Sequence, residues 1–329
     1  MNTVSSNLAT AEGGALRKAR TLGLSIFRVI LGVLVLKNCI FYFPMADALF
    51  GRNAIYDYGL YLTDMNSSLL RYLIYPFYAP YAPQAFLLLM MATASLFILA
   101  IGGRGVGLLL YVLILILKAR NELILDGSDN VIQVTMPFLL LANSYEYFRY
   151  AERSGAAPGK WAALLSKWYQ PIAEMAVYGL LIQVCYVYFF TGLEKAQGKL
   201  WQNGTATYYT MRVEEFRATD WNVPLTANYF FVVLSTYFTL FWEQAFAFLV
   251  WFRKTKYAIL LCGVMLHVGI WLFMRIDNFS WIMLGTYFVF ITNGEYQSML
   301  SLARRGLGKV ANRLPLPGRL QQRLTAWHS

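Results

Sequence analysis

The run LGLSIFRVILGVLVLKNCIFYF, residues 22–43, indicates the fold class of the chain. An α-helix of this length rises about 33 Å, and the hydrocarbon core of a bilayer is about 30 Å thick. Further apolar runs follow at residues 84–101, 106–117, 131–147, 172–193, 229–252, 257–274 and 279–293, the one at 106–117 being the shortest. The sequence therefore predicts an all-α integral membrane protein built as a bundle of about eight transmembrane helices.

The composition is that of a chain solvated by lipid. Hydrophobic residues make up 58% of the chain and charged residues only 14%, more apolar than a soluble domain needs to fill its core. Aromatic residues reach 17%, which suits helices whose ends rest in the headgroup layer. The net charge of +11 is typical of loops held against anionic lipid, so we expect membrane lipid as a partner and no nucleic acid.

The distribution of basic residues predicts the topology. In an eight-span arrangement, seventeen of the 28 Lys and Arg residues fall on the side that holds the N-terminus. Because basic loops stay inside, we expect a multi-pass protein of the cell (inner) membrane with both termini cytoplasmic. The expected organisation is a cytoplasmic N-terminal segment at 1–20, a transmembrane domain at 21–293 and a basic interfacial cytoplasmic tail at 294–329, with long outer loops at 44–83 and 196–228.

Ionisable residues inside the apolar runs are the first candidates for function, because charge in the bilayer is expensive. Arg28 and Lys37 lie nine residues apart, on opposite faces of the first helix, and either snorkel to the nearer headgroup layer or line a polar interior. Glu243 and His267 lie well inside two sequential runs. They either hold helices together by hydrogen bonds or form an interior that handles protons.

The stretch QVCYVYFFTGLEKAQGKLWQNGTATYY, residues 183–209, carries the strongest chemical signal. Tyr188, Thr191 and Lys195 recur at helical spacing and therefore share one face, with Lys195 where the span reaches the outer surface. A lysine there serves as a lipid anchor. Alternatively, a desolvated lysine can lose its proton and act as a general base.

The stretch LDGSDN, residues 125–130, forms an outer turn between the third and fourth runs. The pattern favours Asp129 as the N-cap of the fourth helix, with Asp126 beside it. A hard cation is the alternative, but two carboxylates supply too few of the six or more oxygens that it prefers. The three cysteines show no metal-ligand spacing, so we predict no metal site.

Four blocks in this order resemble the HTTM (horizontally transferred transmembrane domain) family, which is related to the membrane core of vitamin K-dependent γ-carboxylase. They are Arg28 in the first run, the LDGSDN turn, the YFFTGLEK…KLWQNGTA block, and a membrane Glu followed by MLHVGIWLFM…FSWIMLGTYFVFI. In size and layout the chain is similar to bacterial members of the sporulation-delaying protein B type. These are required for maturing a secreted peptide toxin.

The resemblance implies roles for particular residues. Lys195 matches the family lysine that deprotonates vitamin K hydroquinone, and His267 matches the membrane histidine of a later helix. We assign Lys195, His267 and Glu243 as catalytic positions, with a quinol such as reduced vitamin K as the implied cofactor. The positions assigned to substrate binding are Tyr188, Thr191, Trp201, Asp126, Asp129 and Arg28.

Three functional hypotheses follow. The first is maturation or modification of a secreted peptide at the outer face of the membrane, either directly or with a membrane maturation partner. We expect no large lumenal domain for propeptide recognition, since the segment after the last span is short and basic. The second is a quinol-dependent, carboxylase- or epoxidase-like membrane enzyme that uses Lys195 as general base. A transporter ranks last, because no pair of helices is interrupted at matching positions in two halves.

Overall fold

The computed structural model describes residues 20–52, 54–56, 77, 79–150 and 160–311, with the side chains of 160–168 and 306–311 excepted. All regular structure in these ranges is helical. The helices are α1 Thr21–Tyr42, α2 Ala46–Phe50, α3 Ala82–Ile98, α4 Gly103–Arg120, α5 Gly127–Leu141, α6 Lys160–Gln197, α7 Lys199–Gln202, α8 Ala206–Arg212, α9 Asn222–Ala227, α10 Tyr229–Leu249, α11 Lys256–Met274, α12 Asp277–Phe290 and α13 Asn293–Ala311. The prediction of an all-α fold is confirmed for this part of the chain.

A helix covers most of each predicted apolar run, but the helices differ in length. Four helical segments of the described chain are long and apolar enough to cross a membrane: Thr21–Phe50, Tyr169–Gln197, Tyr229–Leu249 and Lys256–Met274. The helix α4, predicted as the shortest, has 18 residues, whereas α5 has 15 and α12 has 14. The last two rise only about 22 Å.

Successive long helices run in opposite directions, so their ends collect in two groups. At the first, the N-terminal end, Arg20 donates to the carbonyl of Val289 at 2.7 Å, and Asn293 donates to Thr21 at 3.0 Å. The second, the loop end, carries α7 to α9. The Asn222 amide there donates to the carbonyl of Phe273 at 2.7 Å. The start of α1 and the start of α13 therefore lie at the same end of the bundle.

The guanidinium of Arg28 ties three chain segments together at the N-terminal end. The residue is fully buried, and it donates to the carbonyls of Ser144 at 2.9 Å, Ile98 at 3.2 Å, Tyr147 at 3.1 Å and Phe148 at 2.9 Å. The Ile98 carbonyl lies in the last turn of α3, where helices leave acceptors unpaired, and the other three carbonyls follow the end of α5. Arg28 therefore neither snorkels to a surface nor faces an open interior.

Two further basic residues act as ties at the loop end. Lys37 pairs with Asp277 at 2.5 Å, which joins α1 to the start of α12. Arg120, also fully buried, donates to the carbonyls of Phe50 at 2.8 Å and Gly51 at 2.6 Å. Arg120 thus fixes the beginning of the loop between α1 and α3 against the bundle.

The expected outer loops and tail are described only in part. Residues 57–76 of the first loop, 1–19 of the N-terminal segment and 312–329 of the tail lie outside the described residues. The second of the loops that were expected on the outer side forms the short helices α7, α8 and α9. The beginning of the tail is helix α13, which exposes Met299, Leu300 and Leu302.

Candidate functional site

A cavity of about 870 Å³ opens between α5, α6, α8, α10, α11 and α12. It extends from Trp201 and Met274 at the loop end to Tyr188, nine residues before the end of α6, and His267, near the middle of α11. Most of its wall is apolar, including Val131, Val134, Val187, Phe190, Met211, Phe231, Phe238, Met265, Leu266, Ile270, Phe273, Phe279 and Met283. Among the polar side chains on the remaining wall, two groups of hydrogen-bonded residues stand out.

The first cluster is an ion pair between α6 and α10. The Lys195 Nζ atom lies 2.5 Å from Oε1 and 2.7 Å from Oε2 of Glu243, so both carboxylate oxygens are engaged. The Glu243 side chain is 8% exposed and that of Lys195 is 28% exposed, on the cavity side. A buried charge persists only when it is paired and hydrogen-bonded, and this geometry meets that requirement.

The sequence permits this pair because a glycine lies one turn before the lysine. A Cβ added at Gly192 would lie 3.0 Å from the Gln244 side chain and 3.3 Å from Cβ of Glu243. Gly192 thus allows α6 and α10 to approach closely at this level. The Lys195 ammonium also lies 5.5 Å from the centre of the Trp201 ring, which covers the pair from the loop end.

The second cluster is a buried chain of two tyrosines and a histidine. The Tyr188 hydroxyl lies 2.7 Å from Nε2 of His267 and 2.6 Å from the hydroxyl of Tyr287. All three side chains are at least 96% buried. Because hydroxyls and imidazole both donate and accept, this chain can redistribute protons whichever tautomer the histidine adopts.

The other ring nitrogen of His267 is a separate feature of this cluster. Its Nδ1 atom is buried without a hydrogen-bond partner among the described residues. Buried polar atoms are nearly always satisfied, and an exception at a cavity wall is a candidate contact for a bound molecule. His267 lines the cavity, although this nitrogen itself is buried.

The two clusters belong to one site because Tyr188 and Lys195 share a helix face. They are seven residues apart on α6, which corresponds to about 10 Å along the axis. Thr191 lies between them and lines the cavity, and its hydroxyl donates to the carbonyl of Val187 at 2.8 Å. Glu243 and His267 line the same cavity, but the hydrogen bonds of each go to a different partner.

Three predicted binding residues lie elsewhere. Arg28 has its guanidinium on backbone carbonyls at the N-terminal end, and it does not line the cavity. Asp126 and Asp129 form a capping box at the start of α5. Asp126 accepts from the amide of Ser128 at 2.6 Å, and Asp129 accepts from the amide of Asp126 at 2.9 Å. The prediction that Asp129 is the N-cap is wrong, because Asp126 occupies that position and Asp129 reaches back to it.

Sequence reasoning missed Tyr287 and the pairing of Lys195 with Glu243. The signal for Tyr287 was its position near the middle of an apolar run, away from the interfaces where tyrosine is common. Gly263 supplied a second signal, since a Cβ there would lie 2.3 Å from the Tyr287 hydroxyl and 2.6 Å from the Trp242 ring. This glycine leaves the space that the tyrosine fills.

The described residues contain no group of three or more His, Cys, Asp or Glu side chains placed to hold a metal ion. The site consists of the ion pair, the tyrosine–histidine chain and the apolar wall. No protein-family model, curated protein or solved structure matches the chain.

Proposed function

We propose that this chain is a multi-pass membrane enzyme that binds a lipophilic molecule in the cavity and removes a proton from its polar end, with Lys195 as the general base. The observation that carries the proposal is the placement of Lys195, Glu243 and His267 on the wall of one largely apolar cavity. Ligand sites combine such walls with a few convergent polar groups. The HTTM family is the relationship we propose for the chain, on the four sequence blocks.

The proposed topology has eight spans in the inner membrane with both termini cytoplasmic. It is supported by the shared location of the start of α1 and the start of α13, together with the excess of basic residues on that side. The loop end then faces outward and carries the cavity mouth. Helices α5 and α12 are shorter than the usual thickness of the hydrocarbon core. In the proposed topology the bilayer thins locally around them, or α6 and α11 shield their ends from lipid.

The cavity fits a quinol such as reduced vitamin K, the cofactor implied by the family. Its volume of about 870 Å³ lies in the range of sites for small organic ligands, and its apolar wall suits a ring with a hydrocarbon tail. The ammonium of Lys195 offers a polar contact, and a turn of the His267 ring would bring its buried, unpaired Nδ1 to the ligand. A bound quinol would supply an acidic hydroxyl and reducing equivalents.

The residues of the chain then handle one proton. Glu243 takes a proton from the Lys195 ammonium across the 2.5 Å contact, which leaves a neutral amine and a neutral acid. With a quinol bound, this amine would accept the proton of its acidic hydroxyl and become an ammonium again. Tyr188, His267 and Tyr287 supply hydrogen bonds that stabilise charge at the inner end of the cavity.

The experiment is quinol-dependent oxygen uptake by the protein purified in detergent, with reduced vitamin K1 as the probe. We expect uptake above the rate of the free quinol, and loss of this excess in Lys195→Ala. The control is Lys199→Ala, an exposed lysine four residues away outside the cavity lining. The enzyme proposal is contradicted if the protein takes up oxygen no faster than the quinol alone does. It is also contradicted if Lys195→Ala and the unmodified protein take up oxygen at the same rate.

Peptide maturation at the outer face is the second candidate. It is favoured by exposed aromatic side chains at the loop end, where Trp221 is 69%, Tyr229 70% and Phe230 83% exposed. Such side chains bind extended peptides as well as lipid headgroups. Cells that produce a secreted peptide toxin distinguish the candidates. Under this second proposal, mature peptide disappears when Trp221 and Phe230 are replaced by serine, whereas quinol-dependent uptake does not change.

A further inference from the structure

A second cavity lies at the opposite end of the bundle from the candidate site. It has a volume of about 540 Å³ and forms where the start of α1, the α10–α11 turn and the α12–α13 junction meet. Its charged lining consists of Arg20, Arg253, Lys256 and Glu295. Three cations thus face one carboxylate.

The carboxylate is already neutralised by its immediate neighbours. Glu295 accepts from Lys256 Nζ at 2.5 Å, from the Thr292 amide at 2.8 Å and from the Thr292 hydroxyl at 2.9 Å. Partial burial opposes ionisation, but the hydrogen bonds from Lys256 and Thr292 prevail and lower the pKa of Glu295 to about 2. Lys256 and Glu295 therefore cancel, and the charge of the two arginines remains.

Both arginines keep donors available. Arg20 uses one terminal nitrogen on the Val289 carbonyl, while its Nε atom is buried without a hydrogen-bond partner in the described part of the chain. Arg253 lies exposed on the cavity rim and forms no ion pair with the described residues. A planar guanidinium presents paired N–H donors that match the oxygens of a phosphate.

The surroundings place this cavity at a membrane interface. Trp251 lines it and is 44% exposed, and the adjacent Phe252 is 61% exposed. Aromatic side chains of this kind rest at the headgroup level, next to the phosphates of the lipid. Basic residues near that surface are attracted by anionic lipid.

We propose that this second cavity binds the phosphate group of an anionic phospholipid headgroup, held by Arg20 and Arg253. The phosphate accepts from the free donors of both guanidinium groups and neutralises the remaining charge. The same chemistry would suit free phosphate, so the experiment includes both sources. The site is independent of the cavity at the loop end and of the reaction proposed there.

The experiment is native mass spectrometry of the full chain, delipidated in a neutral detergent and titrated with phosphatidylglycerol. We expect one lipid to bind saturably, and Arg253→Gln to weaken its binding about tenfold, as for the loss of one charge-assisted contact. The matched control is Lys254→Gln. This neighbouring exposed lysine does not line the cavity, so its loss should leave the affinity within about twofold.

Competition with inorganic phosphate, at constant ionic strength set with chloride, shows whether the site prefers a lipid headgroup or free phosphate. Displacement only at concentrations far above those of the lipid supports the headgroup, whereas binding of phosphate as tightly as the lipid supports a free-phosphate site on the same arginines. Arg20→Gln provides a second variant, although it also loses a bond to Val289. Equal affinities in the unmodified protein, Arg253→Gln and Lys254→Gln overturn the proposal.

Discussion

Lys195 Nζ lies 2.5 Å from Glu243 Oε1, which joins α6 to α10 through an ion pair on the wall of the cavity. Because Glu243 is almost fully buried, each charge depends on the other. The pair therefore has two roles. It holds two helices together, and it places the candidate base beside a group that can take its proton.

A double-mutant cycle tests the structural role. We expect Glu243→Gln and Lys195→Met each to destabilise the protein in detergent. The loss of unfolding free energy in the double variant should be smaller than the sum of the two single losses. The interaction energy should be about 1 kcal/mol or more, because Lys195→Met leaves the buried Glu243 carboxylate unpaired and Glu243→Gln removes the counter-charge of Lys195. The readout is the free energy of unfolding. Combining Glu243→Gln with Lys37→Gln, whose partner is Asp277, should be additive, and additivity in both cycles would contradict the pairing.

The buried tyrosine–histidine chain depends on the space at Gly263. We expect Gly263→Ala to lower stability by about 1–3 kcal/mol, because the new Cβ would overlap the Tyr287 hydroxyl and the Trp242 ring. Gly269→Ala on the same helix is the control, since a Cβ there meets nothing within 4 Å. Alanine should stabilise α11 there by up to about 1 kcal/mol. Melting temperatures that rise for both variants would show that Tyr287 does not occupy this space.

Stability at acidic pH should report on Glu295. The hydrogen bonds from Lys256 and Thr292 lower the pKa of its carboxyl to about 2, despite partial burial. A depressed pKa in the folded state stabilises the protein above the ordinary glutamate pKa of about 4.3, and this stabilisation is lost as the pH falls from there towards 2. The melting temperature of Glu295→Gln should therefore lie below that of the unmodified protein at pH 7, with a gap that narrows by pH 3.

The control for this titration is Glu215→Gln, which removes an exposed glutamate at the loop end. Its melting temperature should differ little from that of the unmodified protein at either pH. A gap for Glu295→Gln that stays constant between pH 7 and pH 3 would show that the carboxyl is not held by these hydrogen bonds.

The apolar runs predicted the helices, because burial in lipid requires long uninterrupted hydrophobic segments and that requirement is visible in hydropathy alone. The contacts between helices were not predictable to the same extent. Lys195 and Glu243 are 48 residues apart, and their pairing depends on the rotation of α6 against α10. The hydrogen bonds from Arg28 to four backbone carbonyls likewise depend on where α3 and α5 end. Hydropathy locates these ends only to within several residues.

The capping of α5 shows the same limit at shorter range. The stretch DGSDN offers two aspartates three residues apart, and either can cap a helix. Asp126 has extended backbone geometry, which the N-cap position requires, while Asp129 lies in the first turn. The sequence pattern favoured Asp129, but the backbone geometry places Asp126 at the N-cap.

The decisive prediction concerns proton chemistry at Lys195. An arginine at this position keeps a positive charge for Glu243 but cannot lose its proton, so Lys195→Arg preserves the ion pair and removes the base. If Lys195 is the base, both Lys195→Ala and Lys195→Arg abolish quinol-dependent activity, while Lys195→Arg keeps the melting temperature of the unmodified protein. If the lysine only anchors the helix or holds Glu243, Lys195→Arg retains activity. Activity and melting temperature, measured together on the same preparations and with Lys199→Arg as the matched control, separate these roles. Full activity in Lys195→Arg would leave peptide maturation as the preferred function.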